Sequence, residues 1–279
     1  NIVELGPGDG SLTKILLRTF KKFPEFNSLK KLFLFEKSIY LKKIQKKNIL
    51  DKGVKWIDNF DKLKKGPIIF FGNEFFDALP IKQFKKIYNS LYEKNYTLNQ
   101  KFEIEEVFRK ASQQDKKMIK NFKTIKKLKF IEFPKLGFNE LKKISKKISE
   151  LQGCILIIDY GYLKPNNQNT LQSVIKHKKN KLLNNLGKAD ITAHVNFSLL
   201  SEFFIKNNLR IKNIITQKNF LESMGILERA KIIAKKMKFT EQTDLYLRIQ
   251  RLLSPKYMGN LFKVILAYNF KDNNFTGFK

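Results

Sequence analysis

The chain has 279 residues, and its 42% hydrophobic and 29% charged residues are values of a folded globular protein, which excludes a wholly disordered chain. No apolar run reaches the roughly 18 residues that a transmembrane helix needs. The longest candidates, residues 68–71 and 155–158, have the length of buried strands. We therefore predict no membrane span.

The formal net charge of +31 at pH 7 has two interpretations. A basic protein can bind nucleic acid, but phosphate and base recognition favour the planar fork of arginine. The excess here is lysine spread along the chain, and the arginines are confined to Arg18, Arg109, Arg210, Arg229, Arg248 and Arg251. We therefore favour a solvated lysine surface over a nucleic-acid groove.

The chain has one cysteine, Cys154, and two histidines, His177 and His194. A single thiol excludes a disulfide framework, and so few cysteines and histidines argue against a metal site. Cys154 begins an apolar run, so we interpret it as a small core residue.

The chain starts at Asn1, and residues 1–5 already have the pattern of a strand. A fold seldom starts inside its central strand, so we expect the natural protein to have a further N-terminal portion. A targeting peptide there would not be visible in this sequence.

The first third of the chain alternates predicted strands with predicted helices. The apolar and helical periodicities predict strands at residues 1–5, 32–35, 54–57 and 68–71, and helices at 11–20 and 39–49. This alternation indicates a parallel, doubly wound, Rossmann-like sheet of the α/β class.

The alternation breaks between Pro80 and Ile155. Residues 84–108 alternate apolar and polar side chains with turn residues at 89–90 and 99–100, which predicts a small antiparallel insert. A strand fragment at 130–133, a break at 134–137 and an amphipathic helix at 139–151 follow. The prediction is an α+β insert between the fourth and fifth strands of the main sheet.

The last part of the chain restores the alternation. We predict a fifth strand at 155–158, a long polar loop to about residue 189, a helix at 197–207, a strand at 211–216, helices at 226–237 and 241–253, and a last strand at 262–267. The predicted division is a cofactor-binding half (1–83), an insert or substrate lobe (84–153), the second half of the Rossmann-like domain (154–268) and a polar tail (269–279).

A glycine-rich turn joins the first strand to the first helix. Its residues are Glu4, Gly6, Pro7, Gly8 and Gly10, with the glycines spaced G-x-G-x-G. Such glycines let backbone amides approach a ligand, and the helix start favours polar groups. A dinucleotide site would use G-x-G-x-x-G, so a nicotinamide oxidoreductase is disfavoured. With Glu4 before it and an acid after the second strand, the turn predicts a site for S-adenosyl-L-methionine.

The ends of the second and third strands carry further cofactor candidates. Glu36 follows the second strand and could accept hydrogen bonds from both ribose hydroxyls. The alternative is an ordinary solvated acid at a helix start. Asp58 and Asn59 follow the third strand and are candidates for contact with the adenine amino group.

The fourth strand leads into a polar segment at residues 72–80. Asn73, Glu74 and Asp77 crowd the carboxyl end of the strand, where ligands bind in open sheets. We predict all three as catalytic residues and Asn73 also as a cofactor-binding residue. A carboxylate such as Glu74 can hold a guanidinium bidentately and raise electron density on the attacked nitrogen. The alternative is that Asn73 or Asp77 caps the next helix.

Two later segments add catalytic candidates. Asp159 ends the fifth strand on the same rim of the sheet. His194 precedes a predicted helix and could act as a base or orient the substrate, although a lone histidine is as often structural.

Several segments together resemble the MidA group of class I methyltransferases, which includes a mitochondrial complex I assembly factor that methylates arginine. The matching segments occur in the family's order at residues 3–10, 73–80, 158–162, 189–197, 216–217, 220–221, 225–226 and 258–264. The first is shared by many methyltransferases, whereas the asparagine–glutamate and histidine segments are more distinctive.

The resemblance implies a Rossmann-like methyltransferase fold with a substrate insert, S-adenosyl-L-methionine as cofactor and a protein arginine side chain as acceptor. It also implies a respiratory complex I subunit as the partner, and a location in the mitochondrial matrix for eukaryotic relatives or in the cytoplasm for a bacterial chain. Alternatives are a non-catalytic assembly chaperone that retains the fold, and a methyltransferase acting on RNA or a small molecule.

Overall fold

The structure, a computed structural model, describes residues 1–175, 178–272 and 274–278, so His177 lies outside the described residues. Its strands are β1 Ile2–Leu5, β2 Leu32–Phe35, β3 Val54–Ile57, β4 Ile68–Asn73, β5 Lys82–Ile87, β6 Ser90–Leu98, β7 Ile104–Lys110, β8 Phe130–Phe133, β9 Gly153–Tyr162, β10 Gln172–Ile175, β11 Lys178–Asn180, β12 Asp190–Thr192, β13 Val195–Asn196, β14 Arg210–Ile211, β15 Ile215–Thr216 and β16 Phe262–Tyr268.

The helices are α1 Ser11–Phe20, α2 Pro24–Leu29, α3 Ile39–Asn48, α4 Gln113–Lys120, α5 Lys135–Leu151, α6 Phe197–Lys206, α7 Gln217–Ser223, α8 Ile226–Ala234, α9 Phe239–Leu253 and α10 Met258–Leu261. In the described part of the chain, no helix combines the length and apolar character needed to cross a bilayer.

The chain forms two compact units. The first contains residues 1–75, 143–160 and 207–279, and the second contains residues 76–142 and 161–206. The predicted functional division at residues 83 and 153 stays a prediction, because compactness does not assign a role to a unit.

The first unit is built on a mostly parallel sheet in the order β14-β16-β9-β4-β1-β2-β3. Strand β1 pairs in parallel with β2 on one side and with β4 on the other, and β4 pairs in parallel with β9. Among the strands that the structure describes in this sheet, the antiparallel pairs are β14 with β16, β15 with β16 and β16 with β9. This is the predicted Rossmann-like sheet, with the chain reversing its direction of winding between β1 and β4.

The core of the first unit follows from the apolar strands. Every residue of β1 and β2 is buried, as expected for parallel strands covered on both faces. Phenylalanine rings fill the space near the strand ends, with Phe60 4.7 Å from Phe35 and 5.4 Å from Phe70 between ring centroids. Close aromatic packing of this kind fixes the strand ends that carry the candidate site.

The second unit contains the predicted antiparallel insert. Strands β7, β6, β5 and β8 form an antiparallel sheet in that order, with turns close to the predicted positions. Strands β11, β10 and β12 form a smaller antiparallel sheet, and β13 pairs with residues 161–162. Helices α4 and α6 also belong to this unit.

Two predictions about the second unit and its border are wrong: the start of one helix and the extent of one loop. Residues 135–137 do not form a break: α5 begins at Lys135, and the Phe138 N–H donates to the Pro134 carbonyl at 2.8 Å. Gly137 is tolerated in the helix because a Cβ there would lie 3.0 Å from Leu79 Cδ1, so the glycine permits close packing. The predicted polar loop before residue 189 contains β10 and β11, which its polar sequence did not indicate.

The predicted strand at 211–216 is interrupted. Ile211 pairs with Ala267 and Ile215 pairs with Val264, so one strand advances four residues while its partner advances three. The extra residue makes a β-bulge, which the apolar pattern alone could not place. The sequence patterns do not predict helices α2, α7 and α10, since their segments are too short for a clear helical period.

Candidate active site

The glycine turn after β1 has the left-handed backbone that its sequence indicates. The φ angles of Gly6, Gly8 and Gly10 are 62°, 57° and 86°, values that are costly for other residues. A Cβ on Gly6 would also lie 2.6 Å from Phe75 Cδ2, whereas a Cβ on Gly8 would meet no described atom within 4 Å. Gly6 is therefore required by packing, and the backbone at Gly8 faces open space.

Glu4 lies at the end of β1 and is buried. Its Oε2 accepts a hydrogen bond from the Thr13 hydroxyl, which ties β1 to the first turns of α1. Burial raises the pKa of the Glu4 carboxyl, and the Thr13 hydrogen bond acts in the opposite direction. The structure thus shows Glu4 buried one residue before the end of β1, with Thr13 of α1 as a hydrogen-bond partner.

Glu36 follows β2 and is buried. Its Oε1 accepts from the Ser38 N–H at 2.8 Å, and its Oε2 accepts from Gln45 Nε2 at 3.2 Å. A carboxylate has about four acceptor positions, so these two bonds leave capacity for a diol. The geometry fits the predicted ribose contact and argues against a freely solvated acid.

Helix α3 contributes two site residues that the sequence did not reveal. The side-chain amide of Gln45 donates to the Gly8 carbonyl at 2.8 Å, and that of Asn48 donates to the Asp9 carbonyl at 2.9 Å. Both lie on the helix that follows Glu36, three residues apart and so on one face. In the sequence, the spacing of three residues between these two amides is the one signal that could have predicted their shared contact with the glycine turn.

Asp58 and Asn59 follow β3, as predicted, and both are exposed. The Asp58 carboxylate forms an ion pair with Lys42, which lowers the pKa of Asp58. The Asn59 Oδ1 accepts from the Asp61 N–H at 3.1 Å and closes a local turn. These contacts do not test the adenine assignment, which stays a prediction.

The end of β4 places an amide and a carboxylate side by side. Asn73 and Glu74 are exposed, and Asn73 Nδ2 lies 3.5 Å from Glu74 Oε1. Glu74 has a φ of 52°, and its N–H donates to the Ile158 carbonyl at 3.0 Å. A non-glycine residue in the left-handed region is strained, and such strain is concentrated at functional sites.

Asp159 lies on β9, the neighbour of β4, and is fully buried. Its Oδ1 accepts from the Tyr160 N–H at 2.9 Å. The structure therefore places Asp159 beneath the rim formed by the strand ends, where it supports its surroundings better than it could contact a substrate.

The remaining candidates, Asp77 and His194, belong to the second unit. The two segments are adjacent, because the Ala193 N–H donates to the Asp77 carbonyl at 3.0 Å. The His194 N–H donates to Thr170 Oγ1, also at 3.0 Å. Burial lowers the pKa of the His194 imidazole, while the negative charges of Glu132 and Asp77 oppose that shift.

His194 lines a small cavity of about 40 Å³ in the second unit, together with Glu132, Tyr162 and Asn196. Glu132 is buried and was not predicted as a site residue. Its Oε1 accepts from Gln83 Nε2 at 2.8 Å and from the Thr170 N–H at 3.0 Å, and its Oε2 accepts from the Thr170 hydroxyl. Burial, assisted by the charge of Glu132, raises the pKa of Tyr162 to about 12.

In the first unit, the candidates Glu4, Gly6, Gly8, Glu36, Asn73 and Glu74 all lie at the carboxyl ends of parallel strands. Leu5 pairs with Gly72, so the glycine turn and the Asn73–Glu74 segment leave neighbouring strands together. This is the point where the winding of the sheet reverses, which is where open α/β sheets bind ligands.

The donors and acceptors present fit S-adenosyl-L-methionine. Glu36 supplies acceptor capacity suited to a ribose diol, and the backbone at Gly8 is open to a polar ligand. When bound, this cofactor supplies a methyl group activated by a sulfonium. The sheet order and this set of strand-end residues define the class I methyltransferase fold.

Comparison with known proteins gives the family. Residues 1–215 match the model of a family of S-adenosyl-L-methionine-dependent methyltransferases. The chain belongs to this family, whose cofactor is the one predicted from the glycine turn and Glu36.

Curated relatives share its sequence at a lower level. The chain is 27% identical to the protein arginine methyltransferase NDUFAF7, mitochondrial, of Xenopus laevis, covering 94% of this chain and 65% of the relative. It is 29% identical to the NDUFAF7 homolog of Caenorhabditis elegans, covering 94% of this chain and 66% of the relative. The chain thus spans about two thirds of the length of these relatives, slightly less in both cases.

Solved structures share its fold. A Burkholderia thailandensis protein crystallised with S-adenosyl-homocysteine has a TM-score of 0.82 and 21% identity, covering 99% of this chain and 73% of that protein. A native crystal structure from the same organism has a TM-score of 0.83 and 20% identity, covering 99% and 76%. These comparisons confirm the predicted fold class.

Proposed function

We propose that the chain is the catalytic part of a methyltransferase that transfers the methyl group of S-adenosyl-L-methionine to a nitrogen of a protein arginine side chain. Membership of the family and the acceptor capacity of Glu36 at the end of β2 support the cofactor. The names of the NDUFAF7 relatives support arginine as the acceptor. We also propose that the methylated protein is a subunit of a respiratory complex and that the methylation serves the assembly of that complex.

The position and backbone conformation of Glu74 support arginine as the methyl acceptor. Its carboxylate is exposed at the rim, and its strained backbone is held by the hydrogen bond to the Ile158 carbonyl. A carboxylate fixed in this way can bind a guanidinium through two parallel hydrogen bonds. It can also stabilise the positive charge that develops as the nitrogen is alkylated.

The reaction needs little chemistry from the protein. The acceptor nitrogen bonds to the methyl carbon with its own electron pair as the carbon–sulfur bond breaks, sulfur keeps that bonding pair, and the nitrogen then releases one proton. The cofactor would be held by Glu4, the glycine turn and Glu36, with Asp58 and Asn59 near its adenine. Asn73 would orient Glu74 through its amide. The rate enhancement would come from positioning and electrostatics.

Asp77, Asp159 and His194 take supporting roles in this proposal. Asp159 is buried behind the rim, and Asp77 and His194 anchor one segment of the second unit through their backbones. None of the three is required to remove the proton of the guanidinium, because proton release can follow methyl transfer.

The Glu74→Gln variant tests the acceptor role. The substitution keeps the shape and removes the charge, so we expect turnover to fall by at least about 100-fold, while the affinity for S-adenosyl-homocysteine changes less than threefold. Turnover would be measured by methyl labelling of a lysate, and affinity by calorimetry. Equal losses of turnover and cofactor affinity would contradict the role, and Glu105→Gln on exposed β7 is the matched control.

A second candidate function is RNA methylation, which one surface feature of the first unit favours. A groove beside β3 is lined by Trp56 and by the lysines Lys31, Lys46, Lys55, Lys62, Lys64 and Lys65, with Lys46 Nζ 5.7 Å from the centre of the indole ring. Lysines with an aromatic ring suit a nucleic-acid backbone. Methyl label that survives nuclease and disappears with protease would exclude this function.

A further inference from the structure

The side chain of Gln45 joins three strand ends of the first unit. Its Nε2 donates to the Gly8 carbonyl at 2.8 Å and to Glu36 Oε2 at 3.2 Å, and its Oε1 accepts from Trp56 Nε1 at 2.9 Å. Gly8 follows β1, Glu36 follows β2, and Trp56 lies on β3. One carboxamide therefore connects the glycine turn, the acid and the third strand.

Gln45 is fully buried, and both of its N–H groups have an acceptor. A buried amide without hydrogen-bond partners is costly, so the folded protein keeps Gly8, Glu36 and Trp56 in contact with the Gln45 carboxamide. An apolar residue of similar size would serve equally well if the position only filled space. The glutamine at this position indicates that its hydrogen bonds, and not only its volume, contribute to the structure of the site.

The bond to Gly8 also orients the backbone that faces the cofactor. A peptide unit is planar and trans, so its carbonyl and the following N–H point in opposite directions. With the Gly8 carbonyl directed at α3, the Asp9 N–H points away from α3. Asn48 holds the next carbonyl, that of Asp9, at 2.9 Å in the same way.

We propose that Gln45 is a positioning residue of the cofactor site, which couples the glycine turn to Glu36 so that backbone amide and carboxylate meet the cofactor in one fixed arrangement. This inference rests on the proposed cofactor site at Gly8 and Glu36. Trp56, the only tryptophan of the chain, makes the coupling visible, because its indole N–H is bonded to the same carboxamide.

The test compares three forms of the protein. Gln45→Met keeps the length and removes the donors, and Lys43→Gln changes an exposed residue of the same helix as the control. Calorimetry with S-adenosyl-homocysteine is expected to show at least tenfold weaker binding for Gln45→Met and less than twofold change for Lys43→Gln. In wild type, binding of S-adenosyl-homocysteine is expected to shift the Trp56 emission, and this shift is expected to be lost in Gln45→Met at saturating ligand.

A double-mutant cycle separates positioning from general destabilisation. If Gln45 acts partly through Glu36, the effect of Gln45→Met on binding should shrink to less than half, on a logarithmic scale, in a Glu36→Ala background. Fully additive losses would overturn the coupling. Should Gln45→Met fail to fold, Trp56→Phe keeps an aromatic ring against the core and removes the third hydrogen bond. It should weaken binding two- to fivefold, and unchanged binding would overturn the part of the coupling that runs through β3.

Failure of the proposed cofactor site and failure of the proposed role of Gln45 give different results. If folded wild-type protein binds no S-adenosyl-homocysteine, both the proposed cofactor site and the role of Gln45 are overturned. If wild type binds and folded Gln45→Met binds equally well, the inference about Gln45 alone is overturned and the cofactor site stands.

Discussion

The two units bury carboxylates for different purposes. In the first unit, Glu36 has two intramolecular hydrogen bonds and lies at a strand end beside an open glycine turn. In the second unit, Glu132 is enclosed by the Gln83 amide and by both the N–H and the hydroxyl of Thr170. The first arrangement retains capacity for a ligand, whereas the second uses its capacity to hold strand β8 to the segment before β10.

A second carboxylate of the insert confirms the contrast. Asp115 is buried and accepts from Lys82 at 3.0 Å, Lys135 at 2.9 Å and the Ser112 hydroxyl at 2.7 Å. These partners lower the pKa of Asp115, against the effect of burial. Burial of a carboxylate is therefore a poor indicator of function, and the number of acceptor positions left for a ligand is a better one.

The largest expected effect comes from Glu132→Ala. This substitution removes the acceptor of the Thr170 N–H, of the Thr170 hydroxyl and of one of the two hydrogen bonds of the Gln83 amide, whose other bond goes to Asn169. We therefore expect a loss of about 3–5 kcal/mol in the free energy of unfolding. Urea denaturation measures that loss. Because Glu132 is proposed to be structural, the affinity of the folded variant for S-adenosyl-homocysteine should change less than threefold.

A control for Glu132 is available on the same unit. Glu105 lies on exposed β7, and Glu105→Ala should change the free energy of unfolding by less than about 0.5 kcal/mol. A Glu132→Ala variant as stable as this control would show that the buried network contributes nothing net. A tenfold loss of cofactor affinity in folded Glu132→Ala would remove the distinction between the two kinds of carboxylate.

The glycine turn allows a sharper comparison within the first unit. Gly6→Ala adds a left-handed alanine and a contact of 2.6 Å with Phe75, so we expect about 2–4 kcal/mol of destabilisation. Gly8→Ala adds only the left-handed alanine, at about 1 kcal/mol. Thermal unfolding and calorimetry should show that Gly6→Ala loses mainly stability.

Gly8→Ala should show the reverse pattern, with affinity for S-adenosyl-homocysteine reduced at least tenfold because the new methyl group occupies the open face of the turn. If Gly8→Ala binds as well as wild type, the ligand does not approach the backbone at that residue. Such a result would move the proposed cofactor contact away from the centre of the turn.

The sequence predicted the first unit better than the second, for a physical reason. The glycine turn, Glu36 and Glu74 are defined by local features: apolar strands, positive-φ glycines and acids that follow a strand directly. Gln45 escaped notice because its partners lie 37, 9 and 11 residues away and meet only in the folded sheet. Glu132 lies in the predicted strand fragment, but its partner Thr170 is 38 residues away, in a segment whose polarity indicated only a loop.

His194 offers the smallest but most direct test of the environment in the second unit. Burial lowers the pKa of its imidazole below the ordinary 6.5, although Glu132 and Asp77 attract a proton to it. In a His177→Gln variant His194 is the only imidazole left, so an NMR titration would follow it alone. We expect a pKa below 6.5, and a lower one still when Glu132→Gln removes an attractive charge.

The same shift sets the direction of the pH dependence of stability. Because the folded pKa of His194 is lower than the unfolded one, the unfolded chain binds more protons between the two values, and the free energy of unfolding rises with pH there. The stability that the folded protein gains by keeping His194 neutral is fully present above about pH 6.5. It is lost as the pH falls through the lower pKa of the folded state. His194→Gln should therefore reduce the slope of the free energy of unfolding against pH in this window. The change in that free energy should be smaller than the change caused by Glu132→Ala or Gly6→Ala. An unchanged slope, or an NMR pKa above 6.5, would show that His194 is more exposed to water or more strongly paired with Glu132 than its burial indicates.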